Sequence, residues 1–429
     1  MHCRYIPALL LTLPACILDK SLGENLETTT TDPTGEPDPT GSDGGDEQGG
    51  ATGVASGCPE GQAPLAPLWQ AAYSPPPDSF GFYSGRSRLG RLADGRLVAA
   101  GNFNPTPDER GVALVLLAPD GQVLGVQTAA IGEWGADVHE LVITPDDQSL
   151  VLADHGTADD KIVVDLTRFA ADMSLVSQIE LPFLAVLGQW APPTLALAPD
   201  GPVVAGKTSI SESILAKLAP GDGAPVWQRS IGPSGDLVVN KIAVGPAGDI
   251  ALAAHSDINL DGDESLRLYR FDSTGAPIWE RVLTVPAYER VTALHFAPGD
   301  QIVALRGTNE FSVSVEMVSV AVADGATRWE LTVAEREDDM STWAEDMQVD
   351  PDFFTIPVSR YPQHHDVETS MHSLEVRTVS FAGDLLDVTP VPGVFGLSGT
   401  SWVRSVRGRC GELVLVDEFS ALEFMAFAP

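Results

Sequence analysis

The sharpest chemical signature in the chain is Asp257-Ile-Asn259-Leu-Asp261-Gly262-Asp263. Oxygen-bearing side chains at alternate positions, with glycine at the sixth, match the first half of a calcium loop: the glycine permits a sharp turn and the carboxylates converge on a hard cation. The bidentate glutamate expected at the twelfth position is missing, because Leu268 stands there. Calcium held by Asp257, Asn259, Asp261 and Asp263 with ligands from elsewhere is one reading. A solvated acidic turn is the other, and the preferred one. His364, His365, Asp366, Glu368 and His372 form the histidine cluster of the chain. A transition metal would need three or four of these to converge. Their place between strands ending near Val358 and starting near Leu374 reads as an exposed loop.

Catalytic motifs find no support. His139-Glu140 has no second histidine at the metalloprotease spacing, and Gly-Leu-Ser398-Gly-Thr-Ser lacks the second glycine of a nucleophile elbow. There is no phosphate loop and no dinucleotide fingerprint, so no catalytic residue is assigned. The balance of 25 basic against 60 acidic residues gives a net charge of -35. Such a surface repels polyphosphate and argues against a nucleic-acid partner. Solubility outside the cell, or weak cation binding, suits it better.

Four cysteines fall into two groups, Cys3 and Cys16 near the start, Cys58 and Cys410 far apart. Arg4 is a minimal positive region, Tyr5 to Leu13 a short apolar run, and Leu13-Pro14-Ala15-Cys16 places small residues before a cysteine. This resembles the lipobox of bacterial lipoproteins, although the proline and the short apolar run depart from the usual pattern. The resemblance implies a signal peptide over 1–15, cleavage before Cys16 and lipidation of that cysteine. Ile17 in place of aspartate then favours the outer membrane, and an ordinary secretory signal is the alternative. Residues 16–57, rich in Thr, Gly, Pro, Asp and Glu, bury too little apolar surface to offset their ordering entropy and read as a disordered acidic tether. No stretch reaches the ~18 apolar residues of a membrane helix.

From Cys58 onward the chain repeats. Val226 to Ala276 is the cleanest unit, and one of its turns recurs as LADGRLVAA (92–100), TPDDQSLVLA (144–153), APDGPVVAG (198–206), GPAGDIALA (245–253), APGDQIVAL (297–305), DPDFFTIPV (350–358) and GRCGELVLV (408–416). Aligning the turns puts Asp94, Asp146, Asp200, Ala247, Gly299, Asp352 and Cys410 in register. Seven copies at roughly fifty residues match four-stranded propeller blades rather than solenoid coils. A second hairpin series leads into strands in which Trp227, Trp279 and Trp329 share one place, and Trp69 fits the same series. Recurrence at one register points to packing between sheets.

The expected fold is therefore an all-β, seven-bladed propeller over 58–429 with four-stranded blades. The last unit, Ser401 to Ala428, has no Trp strand to follow it, and Leu65 to Tyr73 has no sheet. The N-terminal strand should complete the seventh blade and remove an open edge. Cys58 and Cys410 then share one rim, where a disulfide would clamp the closure in an oxidising compartment. Two separate buried thiols are the other possibility.

The repeat also resembles bacterial seven-bladed propellers whose units carry D-x-x-L-x-R-F-D-x-x-G-x-x-x-W, related in look to quinoprotein-type propellers. Glu264 through Asp272 to Trp279 carries the pattern best. The likeness covers residues 60–429 and implies fold rather than chemistry. Two functions follow as expectations. The first is a lipid-anchored, monomeric, non-catalytic module that presents loops to a protein or glycan partner. The second is an enzyme at the central funnel, a degenerate quinoprotein-like dehydrogenase or a hydrolase. Clustered charges with perturbed pKa in the funnel would favour the enzyme, and an apolar plug the binding module.

Overall fold

The computed structural model describes residues 65, 67–73, 81–82, 87–106, 109–132, 134–157, 162–184, 192–209, 212–232, 237–256, 265–284, 289–308, 314–335, 340–344, 346–362, 373–391, 403–408, 410–418 and 422–428. The chain divides into two units, Met1–Val54 and Ala55–Pro429, and every described element belongs to the second.

Those elements are β-strands in seven antiparallel sheets. The innermost strands of blades 1 to 7 are Arg88–Arg91, Trp134–Ile143, Thr194–Ala198, Leu237–Val244, Glu289–Ala297, Gln348–Val349 and Arg404–Arg407. The outermost are Val123–Gly132, Leu175–Glu180, Pro225–Ile231, Pro277–Thr284, Thr327–Glu335, Leu385–Pro390 and Pro67–Tyr73. The last of these is the N-terminal strand. It pairs with Leu422–Phe427, from Pro67 opposite Phe427 to Tyr73 opposite Leu422, and so completes the C-terminal blade as expected. The Leu65 amide donates to the Ala428 carbonyl at 3.1 Å and extends the seam by one bond.

Each strand is held in place through its two faces. Successive side chains point to opposite sides of a sheet. In blade 1, Val98 and Ala100 join a core with Val138, Val151 and Ala153 of blade 2. Leu97 and Ala99, one residue out of phase, join Val414, Val416 and Phe424 of blade 7. Six of the seven buried clusters sit between consecutive blades, and the remaining one joins blade 7 to blade 1. The apolar core is thus divided around a closed ring. Middle strands such as Ser149–Gly156 are buried on both faces, apolar from Leu150 to Ala153, while outer strands such as Leu175–Glu180 expose alternate residues.

Two blades depart from the four-strand plan. The inner strand of blade 1 is broken into Gly81–Phe82 and Arg88–Arg91, and that of blade 6 into Met340–Trp343 and Gln348–Val349. In blade 6 the break falls at Asp346. Its carboxylate accepts from the Met347 amide (2.8 Å), the Ser405 amide (3.0 Å) and the Ser405 hydroxyl (3.1 Å), so a side chain takes donors that a strand would offer its neighbour. The sequence placed the irregularity of blade 6 at DPDFFTIP. That turn does depart from the repeat: the Asp350 amide donates to the Phe353 carbonyl three residues on (2.9 Å), where the turns at Leu92, Thr144, Gly245 and Gly408 close four residues on.

Candidate functional site

The aligned turns of the sequence are those joining each innermost strand to the next. Counting six residues back from each reaches Arg88, Glu140, Thr194, Lys241, Ala293, Asp346 and Arg404. Six of the seven are polar or charged, on the strands nearest the axis of the ring. Contacts bring four of them together, Arg88, Glu140, Thr194 and Lys241, and one contact skips a blade: the Lys241 ammonium of blade 4 donates to Glu140 Oε1 of blade 2, past Thr194 of blade 3. Thr194 Oγ1 lies 3.5 Å from the same oxygen, and Arg88 Nε of blade 1 lies 3.5 Å from Glu140 Oε2. Arg88 is braced by donating Nε to the His139 carbonyl (2.6 Å) and Nη1 to the Ser87 carbonyl (3.0 Å).

Local backbone irregularity aims these groups. The inner strands of blades 2, 4 and 5 each carry a bulge at His139, Asn240 and Thr292, between Val138 and Glu140, Val239 and Lys241, and Val291 and Ala293. A bulge inserts one residue and re-aims the side chains after it. The inserted residue turns into its own blade: His139 Nε2 sits 3.1 Å from Asp154 Oδ2, and the Asn240 amide 3.0 Å from His255 Nδ1. The next residue, Glu140 or Lys241, is left on the axis. The His139 pair belongs to a polar seam through blade 2. There Asn102 accepts from the Val138 amide (2.6 Å) and donates to Asp137 (3.0 Å), and Asp165 meets His155 (3.3 Å) and the Gln178 amide (2.7 Å). Burial raises the Asp165 carboxyl.

The electrostatics of the axis are lopsided. Burial by itself would raise the Glu140 carboxyl, but Lys241, Arg88 and Arg404 together draw it down to about 2. Burial lowers the Lys241 ammonium to about 8, helped by Arg404 and Arg88 and opposed by Glu140. His295 of blade 5 is lowered by burial and by Lys241, against Asp346 and a bond to the Met347 backbone. Glu140 and Lys241 side chains are each 16% exposed and Arg88 11%.

The residues singled out from the sequence lie elsewhere. Cys16, Cys58, Asp257, Asn259, Asp261, Asp263, Ser398 and the cluster from His364 to His372 are outside the described residues. Cys410 is half-buried in the first turn of blade 7, its amide donating to Glu412 Oε2 at 2.7 Å. Among the described residues no group of three or more His, Cys, Asp or Glu is placed to hold a metal ion, and no helix is long and apolar enough to cross a membrane. As a motif, Glu140 is only the second residue of a His139-Glu140 pair that lacks the protease spacing. The signal that finds it is the repeat itself, because the alignment that locates the turns also lines up position minus six.

No protein-family model and no curated protein matches the chain. Among solved structures, the β-propeller domain of the Trilobed protease from Pyrococcus furiosus, described as having an open velcro topology, aligns with 79% of this chain and 95% of its own at 8% identity and a TM-score of 0.45. Drosophila Plexin A in complex with Semaphorin 1b aligns over 85% of this chain and 87% of that one, at 9% identity and a TM-score of 0.47. The quinohemoprotein alcohol dehydrogenase ADHIIG from Pseudomonas putida HK5 covers 82% and 65%, at 9% identity and 0.44. The chain is a seven-bladed β-propeller, closed by pairing its first described strand with its last.

Proposed function

We propose that this propeller is a lipid-anchored, extracytoplasmic binding module that acts on a protein or glycan partner without catalysing a reaction. Clustered axial charges with shifted pKa values meet the condition set above for the enzyme; what supports the binding reading against it is the pairing and charge state of the axial carboxylate. General acid-base catalysis at neutral pH works best with a group poised near 7. Glu140, at about 2 and bonded to Lys241, stays ionised throughout that range. The anchor rests on Arg4, the apolar run Tyr5 to Leu13 and the Leu-Pro-Ala-Cys16 site, with residues 16–57 as spacer. A Cys58–Cys410 disulfide, and with it an oxidising compartment, draws support from the disulfide-bonded state of Cys410 and from Leu65, which is held to Ala428 close in sequence to Cys58.

The test is cross-linking on intact cells that produce the protein, followed by mass spectrometry. Repeated recovery of one envelope protein or glycan joined to loops of the ring is expected. Recovery of only the neighbours seen with an unrelated anchored protein sinks the binding reading. Cys16→Ser should move the protein from the detergent phase to the aqueous phase, and no movement removes the anchor.

One observation favours the enzyme alternative. Lys241, at about 8, is near the working range of an amine nucleophile. Borohydride trapping with simple carbonyl compounds would leave a mass adduct on Lys241 if that reading held.

A further inference from the structure

The partner proposed above meets loops of the ring, whereas the axial cluster is a separate site with its own chemistry. Arg88, Lys241 and Arg404 come from blades 1, 4 and 7, yet all three act electrostatically on Glu140. They occupy one repeat position, six residues before the aligned turn, in a chain that carries 60 acidic residues against 25 basic ones. Blades 7 and 1 are neighbours across the seam, so two of the cations are guanidiniums on adjacent inner strands. Guanidinium forks suit the planar, multiple acceptors of an oxyanion, and a nearby ammonium adds a point charge.

We infer that the axis of the ring binds a small oxyanion, a carboxylate or a phosphate, held by Arg404, Arg88 and Lys241. Glu140 is engaged by Lys241, with Thr194 and Arg88 beside it, and it spaces the cations rather than filling the site. The Lys241 and Arg88 side chains keep part of their surface exposed, while Arg404 is buried. Lys241 fits the same reading: its ammonium, bonded to Glu140, is weakened first by burial and then by the two arginines, and an added anion would offset the repulsion from the arginines. The groups facing it are Glu140, Arg88 and Arg404, with His295 on blade 5 and Asp346 beside His295.

The test is calorimetric titration of the full-length protein in detergent and chloride buffer, with inorganic phosphate in one arm and acetate or citrate in the other. Saturable binding is expected in at least one arm, and the arm that responds identifies the anion class. Losing one charge-assisted contact should weaken it roughly tenfold in Arg404→Gln and in Lys241→Gln. Lys241→Arg should bind like the parent, and Glu140→Gln more tightly because a repelling charge is gone. Raising the pH from about 7 to about 9 should weaken the parent as Lys241 loses its proton, but not Lys241→Arg. If Arg404→Gln fails to fold, the contrast between Lys241→Arg and Lys241→Gln decides. No saturable binding in either arm, or equal affinity in the parent and the Lys241→Gln protein, overturns the site. The cross-linking test can fail without affecting this one.

Discussion

The two edges of each blade obey different rules. At the perimeter the repeat holds one arrangement: Trp69, Trp227, Trp279 and Trp329 each lie over the outer-hairpin glycine of the next blade, Gly121, Gly275, Gly325 and Gly383. A Cβ at any of the four would come within 3.0 Å of the ring, and all four glycines adopt left-handed φ between 70° and 91°. Three of the indoles also donate to a hairpin carbonyl, Trp69 to Pro119 (3.0 Å), Trp279 to Val322 (2.8 Å) and Trp329 to Phe381 (3.1 Å). At the axis, by contrast, position minus six runs Arg, Glu, Thr, Lys, Ala, Asp, Arg. Packing between sheets has one good solution and the units keep it. The axis has no such packing demand, so its residues are free to form an asymmetric charged site.

The hardest test of that contrast is at the seam, where Trp69 of the first strand locks blade 7 to blade 1. Trp69→Ala removes a ring and a hydrogen bond and should cost about 3 kcal/mol. The readout is the urea midpoint. If Trp69→Ala costs no more than a surface change while Trp279→Ala is costly, the seam is not held by the same contact as the rest of the ring.

The axis should respond to charge instead of volume. Glu140→Gln leaves Lys241, Arg88 and Arg404 without the carboxylate they share, and should cost about 3 kcal/mol. Lys241→Met leaves Glu140 still near Arg88 and should cost less. The reverse order would show that Glu140 is not the hub. The pH profile gives an independent check. Glu140 has a folded pKa of about 2, below its ordinary value of 4.5, so its contribution is present above about 4.5 and lost as pH falls toward 2. Lys241 runs the other way: its folded pKa of about 8 is below the ordinary 10.5, so its cost is full below 8 and stability rises as pH climbs toward 10.5. Difference curves of parent against Glu140→Gln in acid, and against Lys241→Met in base, should show these two slopes. A flat curve in acid would remove the ion pair, and a flat curve in base would remove the burial of the ammonium.

One blade interface exchanges the sizes of its partners and so sharpens the perimeter rule. Gly125 opposes Leu116 in blade 1 as Trp227 opposes Lys217 in blade 3, so glycine stands where tryptophan is the rule. Facing it, Met173 of blade 2 adopts φ of 67° at the hairpin position where other blades have glycine, and its Cε lies 3.1 Å from where a Gly125 Cβ would be. Gly125→Trp alone should clash with Met173 and cost roughly 2 kcal/mol. Adding Met173→Gly rebuilds the common pair and should recover most of that loss. If the two costs simply add, the residues do not face each other.

Sequence made the perimeter and the closure legible because both depend on residue types that stand out in a single copy: a tryptophan, an Asp-Gly turn, a strand left without a sheet. The axis was harder to read for two physical reasons. Its residues share a position but not a type, so no motif search gathers them. The bulges at His139, Asn240 and Thr292 that aim Glu140 and Lys241 shift the alternation by one residue, and no side chain marks them beforehand. The break at Asp346 in the same blade was hidden for a similar reason, since it depends on what its carboxylate finds in blade 7.

The smallest effect concerns the outer edge itself. Every outermost strand has a bulge near its start, between residues 67 and 69, 175 and 177, and at the matching register of the other five blades. In five blades the inserted residue points outward, Leu124, Val176, Val226, Ile278 and Leu386 being 44 to 62% exposed, whereas Leu68 at the seam packs against the core. A bulge twists an edge strand and spoils it as a template for another chain. The side chain at that position therefore matters less than the extra residue. Val226→Thr should change the urea midpoint by less than about 0.5 kcal/mol. Deleting Val226 to straighten the strand should instead promote association, seen as a concentration-dependent rise in light scattering. A monodisperse deletion variant would mean that the edges are protected by something other than the bulge.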